Sequence, residues 1–212
     1  MNWMEYMESL TEILGTVAFS VSGAMTAIRK KMDILGVVVL GVVTAVGGGI
    51  IRDLLLGITP PAAFQDPVYV AWATVTALLA FVLARYSWSE KNRHWFEVFL
   101  NFVDSLGLGL FAVIGVRTAI ECGYGENGFL SVFVGVLTGV GGGMLRDTMA
   151  GEVPKIFRKR IYALAALAGA LVYYGIEGRF VSAGGALWLA AFLVVVIRLL
   201  AAHFEWDLPR VK

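Results

Sequence analysis

Cysteine is nearly absent: the 212 residues hold one, Cys122, which excludes an intramolecular disulfide and any cysteine-based metal cluster. Histidine is scarce too, and His94 and His203 fall far apart in expected loop or tail segments, where they read as solvated surface residues. The opening run MNWMEYMESLTEI has no Lys or Arg and three glutamates, Glu5, Glu8 and Glu12. It lacks the basic start and small-residue cleavage site of a signal peptide, so the first apolar helix is expected to be retained. Charge is the last scarcity. Only 16% of residues are charged while 58% are hydrophobic, against roughly 25% and 45 to 50% in soluble domains. A water-soluble fold is excluded and a membrane protein is expected.

What is present is a series of apolar stretches near the ~20 residues that a bilayer-spanning helix requires. They run at about 11–28, 34–57, 67–85, 97–120, 128–151, 159–176 and 182–202, and the expected fold is all-α with seven membrane helices. The basic residues orient them. Arg29, Lys30 and Lys31, then Arg85, Lys91 and Arg93, then Lys155, Arg158, Lys159 and Arg160, then Arg198, Arg210 and Lys212 all fall on one side of a seven-helix chain. The other side has Arg179 alone, and Arg52, Arg117 and Arg146 lie within helices. The bias places the N-terminus outside and the C-terminus in the cytoplasm. Anionic lipid accounts for the basic loops, and nucleic-acid binding gains no support from them.

One phrase occurs twice. TAVGGGIIRDLLLGITP from Thr44 and TGVGGGMLRDTMAGEVP from Thr138 share nine identities at an offset of 94: Thr44/Thr138, Val46/Val140, the triplets Gly47, Gly48, Gly49 and Gly141, Gly142, Gly143, then Arg52/Arg146, Asp53/Asp147, Gly57/Gly151 and Pro60/Pro154. Upstream, LGTVAFSVSGAMTAI from Leu14 matches LGLGLFAVIGVRTAI from Leu106 at an offset of 92. The chain therefore divides into a three-helix repeat at 1–95, a second at 96–178, and a seventh helix with its tail at 179–212. An odd number of crossings per repeat makes the second copy enter from the opposite side, the inverted arrangement that builds substrate or ion pathways.

Each glycine weakens a helix interior by about 1 kcal/mol relative to alanine, so the triplets are expected to break or kink the second and fifth helices where they line a wet cavity. Close helix packing through small residues is the competing explanation. Neither copy has the Lys-Ser/Thr of a phosphate-binding loop, and no nucleophile and base set, metal cluster or cofactor fingerprint appears, which argues against an enzyme. Thr44 and Thr138 are candidates for a constriction of small and hydroxyl residues. Ionisable residues within a membrane are costly and usually face protein or water. Each copy begins with an acid, and Glu12 with Arg52, and Asp104 with Arg146, are expected to form related ion pairs at two mouths of a pathway, beside Asp53 and Asp147. Arg117 breaks the symmetry, because its counterpart is Met25. Trp3, Tyr6, Trp72, Trp88, Trp95, Tyr173, Tyr174 and Trp206 suit interfacial belts.

These motifs, ILGTVAFSVSGAMTAIRKKMDILGVVVLGVVTAVGGGIIRDLLLG with DSLGLGLFAVIG and GVLTGVGGGMLRDTMAGEVP, resemble the prokaryotic branch of the TRIC (trimeric intracellular cation) channel family, whose repeated unit is also labelled a glycine transporter domain. The resemblance covers about residues 11–176. It implies a symmetric homotrimer with a pathway in each protomer permeable to potassium and other monovalent cations such as sodium, lined by the glycine-bearing helices, with membrane lipid around it and no cofactor. The K-E-V-x-R-x-x-K signature of animal members is absent, so a bacterial inner membrane is expected. Two function classes follow from the same architecture. A continuous cation pore is one; alternating access for glycine or a similar small amino acid is the other, its carboxylate at a broken-helix N-terminus.

Overall fold

Polar caps and left-handed glycines divide the apolar chain into helices, and the computed structural model describes residues 3–87, 93–158, 161–177 and 182–206. In order these are α1 (Trp3–Arg29), α2 (Ile34–Leu56), α3 (Ala62–Gln65), α4 (Val68–Ser87), α5 (Arg93–Ala119) running into a π-helical turn (Ile120–Tyr124), α6 (Gly128–Met149), α7 (Lys155–Arg158), α8 (Ile161–Ile176) and α9 (Ala183–His203). Asp33 starts α2 by accepting from the backbone N–H of Gly36, and Asn127 starts α6 by accepting from that of Leu130. Gly57 and Gly151 follow the ends of α2 and α6 with φ of 77° and 68°. Just beyond them, the N–H of Ile58 bonds to Asp53 O and that of Glu152 to Asp147 O, both at 2.8 Å, the closing bond of a glycine-terminated helix.

Six of these helices are long and apolar enough to cross a membrane, within α1, α2, α4, α5, α6 and α9. The seventh expected stretch is the apolar helix α8, which at 16 residues reaches about 24 Å against the ~30 Å of a hydrocarbon core. Large apolar side chains such as Leu35, Leu83, Phe129 and Phe192 point outward, as suits helices whose surroundings are hydrocarbon rather than water. The four-residue α3 and α7, absent from the expected series, follow the two copies of the phrase at matching places, 93 residues apart.

The contacts repeat as well. Helices α1, α2 and α4 pack on one another, α5, α6 and α8 do the same, α2 against α6 and α1 against α5 join the two sets, and α9 covers α5 and α8. At the join, the rings of Phe19 and Phe111 meet with centroids 5.3 Å apart.

Both triplets are helical throughout, so the expected break is not found: α2 runs unbroken from Ile34 to Leu56 and α6 from Gly128 to Met149. The glycines serve proximity instead. A Cβ on Gly48 would stand 2.3 Å from Thr138 O, one on Gly142 would stand 2.1 Å from Thr44 O, and one on Gly141 would stand 3.2 Å from the Gly48 Cα. The two helices meet backbone to backbone, and only glycine has no side chain to hold them apart. These contacts run antiparallel, with 44 against 142 and 48 against 138. The intrinsic cost of the triplets is offset by packing rather than relieved by a break.

Some aromatic and charged residues also depart from expectation. Tyr173 is a fully buried core residue rather than an interfacial one, because small residues such as Ala170, Ala186 and Ala190 leave room for its ring. Arg198, counted with the seventh helix and its tail among the cytoplasmic-side charges, is 2% exposed and stacks 4.8 Å above the Tyr162 ring. Trp88, Lys91, Lys159, Arg160, Arg179, Arg210 and Lys212 lie outside the described residues, as do the side chains of Trp3, Glu5, Tyr6, Glu8, Arg93, His94, Trp95 and Arg158.

The packing predicts a contrast within one triplet. Gly48→Ala and Gly142→Ala should each cost about 1–3 kcal/mol by overpacking, read as lowered melting temperatures of the purified protein in detergent. Gly49→Ala, where a Cβ meets nothing nearer than 3.8 Å, should be tolerated.

Candidate functional site

The Arg-Asp pair at the end of each glycine-bearing helix is a fixed piece of local geometry. Arg52 Nε donates to Asp53 Oδ1 at 2.8 Å, and Arg146 Nε to Asp147 Oδ1 at 2.7 Å. The other carboxylate oxygen reaches across the loop: Asp53 Oδ2 accepts from the backbone N–H of Ala62, and Asp147 Oδ2 from that of Lys155, each at 2.8 Å. Each aspartate thus pins the start of the short helix that follows, using a donor that a helix N-terminus leaves free. That correspondence makes Pro61 the counterpart of Pro154, since Phe64 N–H bonds to Pro61 O and Phe157 N–H to Pro154 O. The repeat offset drops to 93 here, and the expected pairing of Pro60 with Pro154 is corrected.

The acids at the head of each copy come to these pairs in different ways. Asp104 meets Arg146 in an ion pair that is fully buried on both sides. Asp104 also accepts from Ser22 Oγ at 3.2 Å and from Lys155 Nζ at 3.0 Å. Glu12 instead accepts from the Tyr69 hydroxyl, while Arg52 pairs with Asp53 at 2.8 Å. The extra methylene of glutamate carries its carboxylate to the phenol, and Glu12 and Arg52 share a cavity rather than the short buried contact expected of them. That cavity, of about 60 Å³, is lined by Glu12, Thr16, Ala45, Val46, Gly49, Arg52, Asp53, Ala62, Ala63, Tyr69 and Phe111. It is roomy enough for a few waters.

Thr44 and Thr138 are buried, and their hydroxyls donate to Leu40 O at 2.6 Å and Val134 O at 2.7 Å within their own helices. Both pack on a glycine of the preceding helix: a Cβ on Gly23 or on Gly115 would come within 2.5 Å of the respective threonine Oγ1. Their role in this structure is to seat α1 on α2 and α5 on α6. Gly47 lies against Leu145, and Gly143 against the Tyr162 hydroxyl. Arg117 donates to Glu121 at 2.6 Å, one turn further along.

Sequence reasoning passed over Tyr69, Tyr162 and Ser22, and treated Lys155 only as a loop charge. The tyrosines carried a usable signal, since they stand 93 residues apart, the offset of the loop that precedes them. Outside the apolar spans, burial alone would raise the Glu152 carboxyl, but Lys30 and Arg29 beside it hold it below the usual range. Arg29 Nη2 lies 2.8 Å and Lys30 Nζ 3.0 Å from Glu152 Oε1, which ties the end of α1 to the loop after α6. Lys155, in the loop helix α7, is pushed down to about 8 by burial and by Arg146, against the pull of Asp104.

One family model, described as Glycine transporter, matches the chain twice, over residues 9–85 and 101–177. The fold is that of solved TRIC channels: the orthologue from Rhodobacter sphaeroides aligns with a TM-score of 0.84 at 37% identity, over 94% of this chain and 98% of that one. The chain belongs to the prokaryotic TRIC family. A second TRIC structure, of a prokaryotic channel in 0.5 M KCl, gives a TM-score of 0.86 at 32% identity over 96% of this chain and all of its own. Among the TRIC relatives, a UPF0126 membrane protein of Deinococcus radiodurans is 46% identical over 88% of this chain and 86% of its own length. The inner membrane protein YadS of Escherichia coli K12 is 39% identical over 93% of both. The solved TRIC neighbours are channels rather than enzymes, and this chain is a membrane protein.

The unequal burial of the two arginines separates their aspartates. Arg146 is fully buried and Arg52 9% exposed, and Asp147→Ala leaves Asp104 alone against both Arg146 and Lys155, so it should destabilise by about 3 kcal/mol or more through one unbalanced buried charge. Asp53→Ala should cost less, and thermal unfolding of the two variants side by side reads the difference.

Proposed function

We propose that the protein is a monovalent-cation channel permeable to potassium, with one pathway in each protomer of a homotrimer. The observation that carries this reading is the likeness to solved TRIC cation channels along 94–96% of the chain, at TM-scores of 0.81–0.86. In this reading α8 supplies the seventh crossing and the repeats 1–95 and 96–178 are inverted, with 179–212 as the added helix and tail. The antiparallel α2–α6 contact supports it, because it sends Asp53 and Asp147 toward opposite ends of the molecule. The pathway runs from a mouth at Glu12, Arg52 and Asp53 past the crossing at Gly47–Gly49 and Gly141–Gly143 to a mouth at Asp104, Arg146 and Asp147. Thr44 and Thr138 set the width of the crossing through the helix pairs they seat, and Arg117 adds a positive charge near the first mouth's side.

The bias of Lys and Arg supports an external N-terminus and a cytoplasmic C-terminus, and the E. coli relative supports an inner membrane. A cation entering from outside meets a cavity with two acids, Glu12 and Asp53, for one arginine. A mouth of net negative charge concentrates cations before they enter.

Single-channel recording of the purified protein in a planar bilayer under a potassium gradient tests the reading. Discrete currents reversing near the potassium potential are expected, and Glu12→Gln should lower the current from its side by about twofold to fivefold. Electrical silence together with saturable glycine uptake into liposomes of the same preparation would replace the channel with a small amino-acid transporter.

A further inference from the structure

The two mouths follow one plan except at a single position. Because the backbone N–H groups of Ala62 and Lys155 occupy the same place under Asp53 and Asp147, their side chains enter equivalent spaces. In the first half that side chain is a methyl group, and the space beside Glu12 is the cavity. In the second half the lysine runs inward and sets its ammonium 3.0 Å from Asp104 Oδ2, with its own side chain 23% exposed to the outside. Formal charges follow the same division. Glu12, Arg52 and Asp53 sum to −1; Asp104, Arg146 and Asp147 sum to −1 alone and to zero with Lys155.

A second observation marks the place as a binding position. Tyr162, the counterpart of Tyr69, is 1% exposed and its hydroxyl makes no hydrogen bond among the described residues, whereas the Tyr69 hydroxyl has Glu12. The Tyr162 hydroxyl and Arg146 Nη2 lie 2.7 Å and 3.6 Å from where a Cβ on Gly143 would stand, so the uncommitted phenol oxygen borders the Arg146 end of the cluster in which Asp104 holds the Lys155 ammonium. An ammonium and a potassium ion are similar in size and both take oxygen ligands, so the lysine can stand where a free cation would.

We propose that Asp104 forms a monovalent-cation site whose resident occupant is the tethered ammonium of Lys155, so that the second mouth is plugged from within the chain while the first is open. The plug rests on the channel reading given above; the site does not. The groups facing Lys155 are Asp104 from α5 and Arg146 and Asp147 from α6. Burial and the Arg146 guanidinium weaken the hold on the ammonium, while Asp104 and Asp147 keep it seated.

Lys155→Ala and Lys155→Met keep the backbone N–H that Asp147 uses, and Lys155→Arg keeps the charge. Thermal unfolding in detergent is compared in potassium chloride and in choline chloride at matched ionic strength. Potassium should raise the melting temperatures of the Ala and Met variants by a few degrees more than those of the wild type and the Arg variant. An equal potassium effect in all four overturns the site.

Bilayer currents in symmetric potassium then test the plug. Current entering by the second mouth should be larger in Lys155→Ala and Lys155→Met than in the wild type, and Lys155→Arg should match the wild type. Wild-type-sized currents in Lys155→Ala overturn the plug with the channel intact. If no variant passes current while potassium still selectively stabilises Lys155→Ala, the channel reading falls and the cation site stands.

Discussion

The architecture depends on the direct backbone contact between α2 and α6 at Gly48 and Gly142. No side chain fits between Gly48 and Thr138 O, or between Gly142 and Thr44 O, so the two halves approach to a distance that any other residue would forbid. In hydrocarbon there is no hydrophobic force to draw helices together, and close van der Waals contact has to do that work. The triplets supply it without giving up helical hydrogen bonds, which a membrane could not replace. Gly23 on Thr44 and Gly115 on Thr138 extend the same device outward to α1 and α5.

Around that contact the halves use one local design and then diverge. Each Arg-Asp pair stacks an ion pair on a loop anchor, so the loops after α2 and α6 are held by the same two carboxylate oxygens in the same way. The divergence lies in which partners complete the charge. Glutamate and a tyrosine hydroxyl leave an open, acidic cavity at one end. Aspartate, arginine and lysine make a closed, neutral cluster at the other. Under the proposed channel reading, two copies of one sequence thus become the two unlike ends of one pathway through changes at a few positions, of which Ala62 against Lys155 is the plainest.

Much of this was legible in the sequence because it is periodic or repeated. Among the described residues each expected apolar stretch falls in a helix, and the constant offset of the Arg-Asp phrase located both clusters. What escaped was set by tertiary distance. Three consecutive glycines lower helix propensity, and on propensity alone a break is the natural reading; the close approach that keeps α2 and α6 helical exists only when both are present. Glu12 and Asp104 look equivalent along the chain, but one methylene sends them to different partners. Four-residue helices such as α3 and α7 are too short to show a period. Arg198 read only as one more cytoplasmic-side charge because the sequence does not reveal that the Tyr162 ring lies beneath it.

The claim at the centre of this account is that the two charge clusters are opposite mouths of one pathway. Cysteine substitution tests it most directly, with Ala63→Cys and its counterpart Ile156→Cys made separately in a Cys122→Ser background and challenged with a membrane-impermeant, positively charged thiol reagent during current recording. The account predicts that the reagent blocks Ala63→Cys from the external side only and Ile156→Cys from the cytoplasmic side only. Block of both variants from the same side, or of neither from any side, would contradict it.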